Sequence, residues 1–200
     1  MGVARPSITD QIAAAAKHRK TGYGADPGVE MGPVISAESK TRIEGLIATG
    51  ERAGARVIVD GRDRNVHGYE DVYFVLPTVL DDVPLDSEAV RTEIFGPVLR
   101  LIHAQTIDEA IAPVNRRSYG NMACIFTTNG ANARRFRYEV NAGKVGINVG
   151  VAAPMSTFPF SGWGESFFGD LHAQANHAVE FFTQTKVVVE RWPKEWSRKF

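Results

Sequence analysis

Cysteine, charge imbalance and long apolar runs are what these 200 residues lack. The single cysteine, Cys124, excludes an internal disulfide and a cysteine-rich metal centre. The five histidines show no H-E-x-x-H or paired Cys/His spacing, so no metal is expected. Basic and acidic residues number 23 each, with no long basic run, which argues against nucleic acid or an anionic membrane as the main partner. No apolar run approaches the roughly 20 residues that cross a bilayer. The first residues carry no apolar signal region, so a reducing cytoplasm is the expected setting. G-x-G-x-x-G is absent, and with it the usual turn that cradles a dinucleotide pyrophosphate.

What is present suffices for one sizeable core, or one domain with an appendage, at 44% hydrophobic content. Residues 8–20 read as an alanine-rich helix capped by Thr9 or Asp10. Ser36 is the expected cap of a second helix reaching about Ala53, with Ile43, Leu46 and Ile47 on one face. Residues 56–60 (RVIVD) read as a strand. Residues 72–80 are β-rich, but Pro77 demotes part of them to an edge. From Val98 the pattern alternates. VLRLIH (98–103) is a strand, and Thr106 with Glu109 forms a capping box for a helix to about Asn115. ACIFT (123–127) is a strand, 131–141 a helix and KVGIN (144–148) a strand. That order predicts parallel strands with right-handed crossovers and ligands outside their carboxyl ends, near His103, Thr127 and Asn148. Residues 149–169 form a long aromatic loop that is expected to line a pocket or pack on another chain. Asp170 is the expected cap of a helix to about Val179, and 182–191 (FTQTKVVVER) reads as a last strand.

The centre of this pattern is Arg91-Thr92-Glu93-Ile94-Phe95-Gly96-Pro97-Val98. Gly96-Pro97 forces a turn ahead of a buried strand. Glu93 beside Phe95 at that mouth suits a ligand with paired hydroxyls and a flat ring; the plainer alternative is a solvated acid and a core aromatic.

The octapeptide resembles the signature loop of the aldehyde dehydrogenase superfamily. Met31-Gly32-Pro33-Val34-Ile35-Ser36, Tyr119-Gly120-Asn121 and Gly146-Ile147-Asn148-Val149 agree with it in order. Gly162-Trp163 and Ser166-Phe167-Phe168-Gly169-Asp170 resemble the CoA-acylating methylmalonate-semialdehyde branch. The resemblance covers about residues 8–192. It implies an α/β fold: a three-layer, parallel-sheet catalytic domain over residues 8–181, truncated at its N-terminus. It also implies an oligomerisation strand over 182–192, followed by a basic tail over 193–200.

The resemblance also implies an NAD-linked oxidation by a cysteine thiolate, with CoA as acyl acceptor. The family's nucleophile lies ahead of the region matching Ile8, so no catalytic residue is expected in this chain. Cys124, inside an apolar strand, reads as a buried structural thiol. Glu93 matches the carboxylate that holds the nicotinamide-ribose hydroxyls, and Phe95 the aromatic beside the nicotinamide. Arg42 falls near the adenosine-ribose contact, or is a solvated surface charge. Asn148, Phe160 and Trp163 belong to the substrate-side loop, or serve as a turn amide and interface packing. Where the family has Gly-Gly-Trp-Lys-Gly-Ser, this chain reads Ser161-Gly162-Trp163-Gly164-Glu165-Ser166. Two uses are expected: a dehydrogenase portion inactive alone, or a non-catalytic module that associates with itself or a full-length homologue. A separately encoded N-terminal partner is a third possibility.

Overall fold

A computed structural model describes residues 5–192 of the chain, which divide into two compact units at Pro113/Val114. The first unit opens with α1 (Arg5–His18). It starts earlier than the sequence suggests, so Thr9 and Asp10 lie inside the helix rather than at its cap. Proline near the start is tolerated because the first N–H groups have no helical partner.

Helix α2 (Ala37–Arg52) begins where expected. The Ser36 hydroxyl accepts the Ser39 N–H at 3.1 Å. Ile43, Leu46 and Ile47 are buried on one face, as their spacing demands. They pack in a core with Val75, Leu80, Val83, Val90 and Ile94. Strand β1 (Arg56–Val59) runs antiparallel to β2 (Thr78–Asp81), which runs parallel to β3 (Val98–Arg100). Every residue of β2 is buried. Pro77 therefore precedes a central strand instead of marking an edge, because the missing N–H falls just outside the ladder. A short helix, α3 (Glu88–Arg91), links β2 to the turn before β3. The six-residue strand expected from 98 shrinks to three, since only these pair with β2.

Helix α4 (Ile107–Asn115) carries the expected cap: Thr106 Oγ1 accepts the Glu109 N–H at 3.1 Å, and Glu109 reaches back to the Gln105 N–H at 2.8 Å. In the second unit, β4 (Tyr119–Gly120) pairs antiparallel with β7 (Trp163–Gly164). Strands β5 (Met122–Ile125) and β6 (Lys144–Ile147) pair in parallel, joined by α5 (Gly130–Glu139). The parallel crossover from β5 through α5 to β6 is as expected; within the first unit β3 pairs in parallel with β2.

The last helix, α6 (Ala175–Phe182), starts four residues later than an Asp170 cap suggests, with Gln174 at the cap position. Gln174 and Ala175 both hold positive φ, at 71° and 53°, so the chain bends sharply before the helix. Residues 183–192 are exposed and pair with no strand among the described residues. The expected basic tail over 193–200 lies outside the described residues. Among the described residues no helix is long and apolar enough to cross a membrane.

Candidate functional site

The 91–98 stretch is a loop laid over α2. Ile94 is buried in the core, while Glu93 and Phe95 on either side of it are exposed, Phe95 by 77%. Phe95 holds φ 51°, a left-handed conformation that is costly for an aromatic residue and persists only where its surroundings impose it. Three constraints impose it here. Ile94 anchors the loop in the core. Gly96 lies so close to α2 that a Cβ there would come within 2.7 Å of Ile43 Cδ1. The Arg42 guanidinium donates from Nη1 to the Glu93 carbonyl at 3.2 Å and from Nη2 to the Ile94 carbonyl at 2.6 Å.

A second arginine holds the segment just before the loop. Arg100 Nη1 donates to the carbonyls of Ala89, Val90 and Thr92, the last two at 3.3 and 3.4 Å. The carbonyls at the end of α3 would otherwise lack acceptable donors. Sequence reasoning missed this role. The available signal was a cation inside the apolar run VLRLIH, since a charge in such a strand needs hydrogen-bonding partners.

At the end of β2, Asp81 is 1% exposed and accepts from His103 Nε2 at 2.6 Å. Arg56 pairs with both Asp81 and Asp82. Burial alone would raise the Asp81 carboxyl; the His103 hydrogen bond and charge, the Asp82 N–H and Arg56 outweigh it and hold the carboxyl below its ordinary value. Asp81, Asp82 and His103 bring three potential ligand atoms within 4.8 Å. Arg56 already supplies cationic charge to both carboxylates, so the cluster is internally compensated.

In the second unit, Asn148 follows β6 with φ 56°, a conformation asparagine tolerates. Its Oδ1 accepts the Thr127 N–H at 2.8 Å and its Nδ2 donates to the Thr127 carbonyl at 3.1 Å. The amide thus brackets the carboxyl ends of β5 and β6. Phe160 lies under Lys144, whose Nζ sits 3.6 Å from the ring centroid. Trp163 stands opposite Gly120 in the β4–β7 ladder and is half exposed. Glu165, an unusual residue in its motif, accepts from the Ser118 hydroxyl at 2.8 Å. Phe158 and Phe168 are exposed rather than packed, whereas Phe167 stacks on His172 at 4.2 Å.

Cys124 is half-buried, less enclosed than its apolar neighbours suggested, and Phe126 beyond the strand end is exposed. Its Sγ lies 3.6 Å from the Gly150 carbonyl, and a Cβ on Gly146 would come within 2.7 Å of it. No cation hydrogen-bonds this thiol among the described contacts.

The structure thus brings Arg42, Glu93 and Phe95 to one loop of the first unit. Asn148, Phe160 and Trp163 belong to the second. The carboxylate of Glu93 is free to accept from two hydroxyls, and the exposed Phe95 ring offers a flat apolar face. These features suit a ligand that carries vicinal hydroxyls beside a flat ring.

A model of the aldehyde dehydrogenase family matches residues 3–188. The chain is 44% identical over 190 residues to a malonate-semialdehyde dehydrogenase of Halalkalibacterium halodurans, covering 95% of this chain and 39% of that protein. It is 47% identical over 194 residues to a probable mitochondrial acylating methylmalonate-semialdehyde/malonate-semialdehyde dehydrogenase of Drosophila melanogaster, covering 97% of this chain and 37% of that one. A solved structure from Sinorhizobium meliloti, described as a methylmalonate-semialdehyde dehydrogenase complexed with NAD, superposes with a TM-score of 0.91 at 37% identity, covering 95% of this chain and 39% of that chain. The chain therefore spans about two fifths of the length of these relatives.

Proposed function

The chain belongs to the aldehyde dehydrogenase family and is methylmalonate-semialdehyde dehydrogenase-like, and on that premise we propose that it supplies the nicotinamide-ribose side of an NAD-dependent, CoA-acylating semialdehyde dehydrogenase and does not turn over alone. The observation that carries this reading is the fixed loop that leaves Glu93 and Phe95 exposed on either side of a buried Ile94. Bound NAD supplies the hydride acceptor. Glu93 accepts hydrogen bonds from vicinal ribose hydroxyls, which sets the rotation of the sugar. Phe95 covers one side of the ring and limits water there. Charge-assisted bonds of this kind are shorter and stronger than neutral ones, so an ionised Glu93 favours the correctly turned sugar.

The reaction also needs a thiolate nucleophile. Cys124 lies in β5 with its Sγ 3.6 Å from the Gly150 carbonyl, and we assign it a structural role rather than that of the nucleophile. The chain alone is therefore expected to show no aldehyde oxidation with NAD and CoA. Turnover that disappears in Cys124→Ala overturns that expectation. Nicotinamide mononucleotide at millimolar concentration is expected to shift the amide resonances of residues 93–96, and Glu93→Gln to weaken that response about tenfold. No shift in the wild-type chain overturns the assignment of the loop.

A second reading is favoured by residues 183–192, where Val187, Val188 and Val189 are 82%, 64% and 90% exposed. An apolar extended segment without a ladder partner recruits another strand. Near-zero net charge gives little repulsion to oppose this. The chain is therefore also read as an association module, joining itself or a full-length homologue in the cytoplasm. Light scattering is expected to show a dimer or larger species, and deletion of residues 182–200 to give monomer or insoluble material. A monodisperse monomer at high concentration, with or without those residues, sinks this reading.

A further inference from the structure

We propose that Arg42 is a positioning residue, which fixes Glu93 and Phe95 through their backbone instead of touching the cofactor itself; this rests on the reading of that loop as the cofactor side of the protein. Both terminal nitrogens of the guanidinium are engaged on consecutive carbonyls, at 3.2 Å from Glu93 and 2.6 Å from Ile94. A planar fork spans two such acceptors at little further entropic cost, whereas an ammonium is a point donor that satisfies one of them well. The two carbonyls lie on the peptide units that join Glu93 to Ile94 and Ile94 to Phe95. Holding both fixes the direction in which the Glu93 and Phe95 side chains leave the loop.

The loop needs such a clamp. Phe95 is held at φ 51°, and without constraint it would relax toward negative φ. Gly96 against Ile43 and the buried Ile94 fix where the loop sits, but neither fixes the peptide planes at 93 and 94. Arg100, by contrast, holds carbonyls of residues 89, 90 and 92, ahead of the two side chains that matter. Arg42 belongs to α2, whose neighbouring Ile43 is fully buried, so the clamp stands on a rigid element.

The test uses the full chain with Arg42→Gln and Arg42→Lys. Backbone ¹⁵N order parameters at residues 93–96 are expected to fall from about 0.85 to below about 0.6 in Arg42→Gln, with Arg42→Lys between them. Order along the rest of α2, and the melting temperature, are expected to stay near wild type, because Arg42 is exposed. Affinity for nicotinamide mononucleotide is expected to fall about tenfold in Arg42→Gln and partly recover in Arg42→Lys. Unchanged order at 93–96 overturns the inference. So does loss of binding to adenosine monophosphate with an undisturbed loop, which is the signature of a direct ribose ligand. If the wild-type chain shows no response to nicotinamide mononucleotide, the cofactor reading of the loop fails, while the order parameters still decide whether Arg42 clamps it.

Discussion

The first unit seals a core of apolar side chains, although Ile35 and Phe95 stay exposed; the second leaves most of its large apolar side chains in water. Ile43, Ile47, Val75 and Leu80 are all 0% exposed, whereas Phe158, Phe160 and Trp163 are 55%, 42% and 51% exposed and Phe168 is 94% exposed. Among the described residues the buried apolar side chains of the second unit are Phe136, Val140 and Ala142. Helix α6 has no buried residue at all. The difference lies in what each unit covers with its own elements. A helix with one apolar stripe and a sheet with one apolar face bury each other in the first unit. The second presents aromatics that stay exposed among the described residues, in keeping with the association reading proposed above.

The largest test of that contrast is a pair of truncations. Ile43→Ala removes a sealed side chain and is expected to cost about 2–5 kcal/mol by urea denaturation. Phe168→Ala removes an exposed ring and is expected to stay within about 0.5 kcal/mol. All three tryptophans lie beyond residue 114 in the sequence, so their fluorescence reports on the second unit. If Ile43→Ala shifts circular dichroism and fluorescence transitions equally, the two units unfold together and the contrast is one of surface only.

A middle-sized effect concerns the Asp81 pairing, a feature of the sealed unit. Its carboxyl is lowered in the folded state, where the His103 bond and the nearby cations outweigh burial. The stability it contributes is therefore complete above the unfolded carboxyl's value of about 3.9 and is lost as pH falls through the lower folded value. Asp81→Asn is expected to cost about 1–3 kcal/mol at neutral pH and to flatten the acid limb of the stability profile. An acid limb that is identical in the variant removes Asp81 from the account.

The smallest effect sharpens the comparison from the other side. Ser36 caps α2 in the first unit, and Asn129 caps α5 in the second, accepting the Ala131 and Asn132 N–H groups at 2.9 and 3.2 Å. A cap is a local device, so Ser36→Ala and Asn129→Ala are each expected to cost about 1 kcal/mol despite the unlike cores. A loss confined to one of the two would mean that the helix in the other unit is held by something besides its cap.

Much of this was legible in advance because it is local. Ser36 and the Thr106–Glu109 box announce helix starts by chemistry that acts within four residues; Asn129, the cap of α5, was not picked out. Apolar spacing picked out Ile43, Leu46 and Ile47, and strand–helix–strand alternation foretold the parallel pairing of β5 with β6. The exposed pair Glu93 and Phe95 was visible as a motif around Gly96-Pro97. Strand length was overestimated at 98–103, because β-propensity persists beyond the residues that find a ladder partner, and residues 183–192 pair with no strand among the described residues. The start of α6 was misplaced because nothing in the sequence marks Gln174 and Ala175 for positive φ.

What the sequence determined by itself, then, is the longer helices up to α5, the strand–helix–strand of β5, α5 and β6, and the caps of α2 and α4, since periodicity and capping are properties of short stretches; the short α3, β4 and β7 were not foreseen. Tertiary structure alone decided what Arg42, Arg100 and Asp81 do. Arg42 meets carbonyls 51 and 52 residues away, Arg100 reaches back to the end of α3, and Asp81 meets His103 22 residues on. A charged side chain in a sequence carries no mark of its partner; only the packing of α2, β2 and β3 brings the acceptors within hydrogen-bonding distance and turns three ordinary charges into the frame of a site.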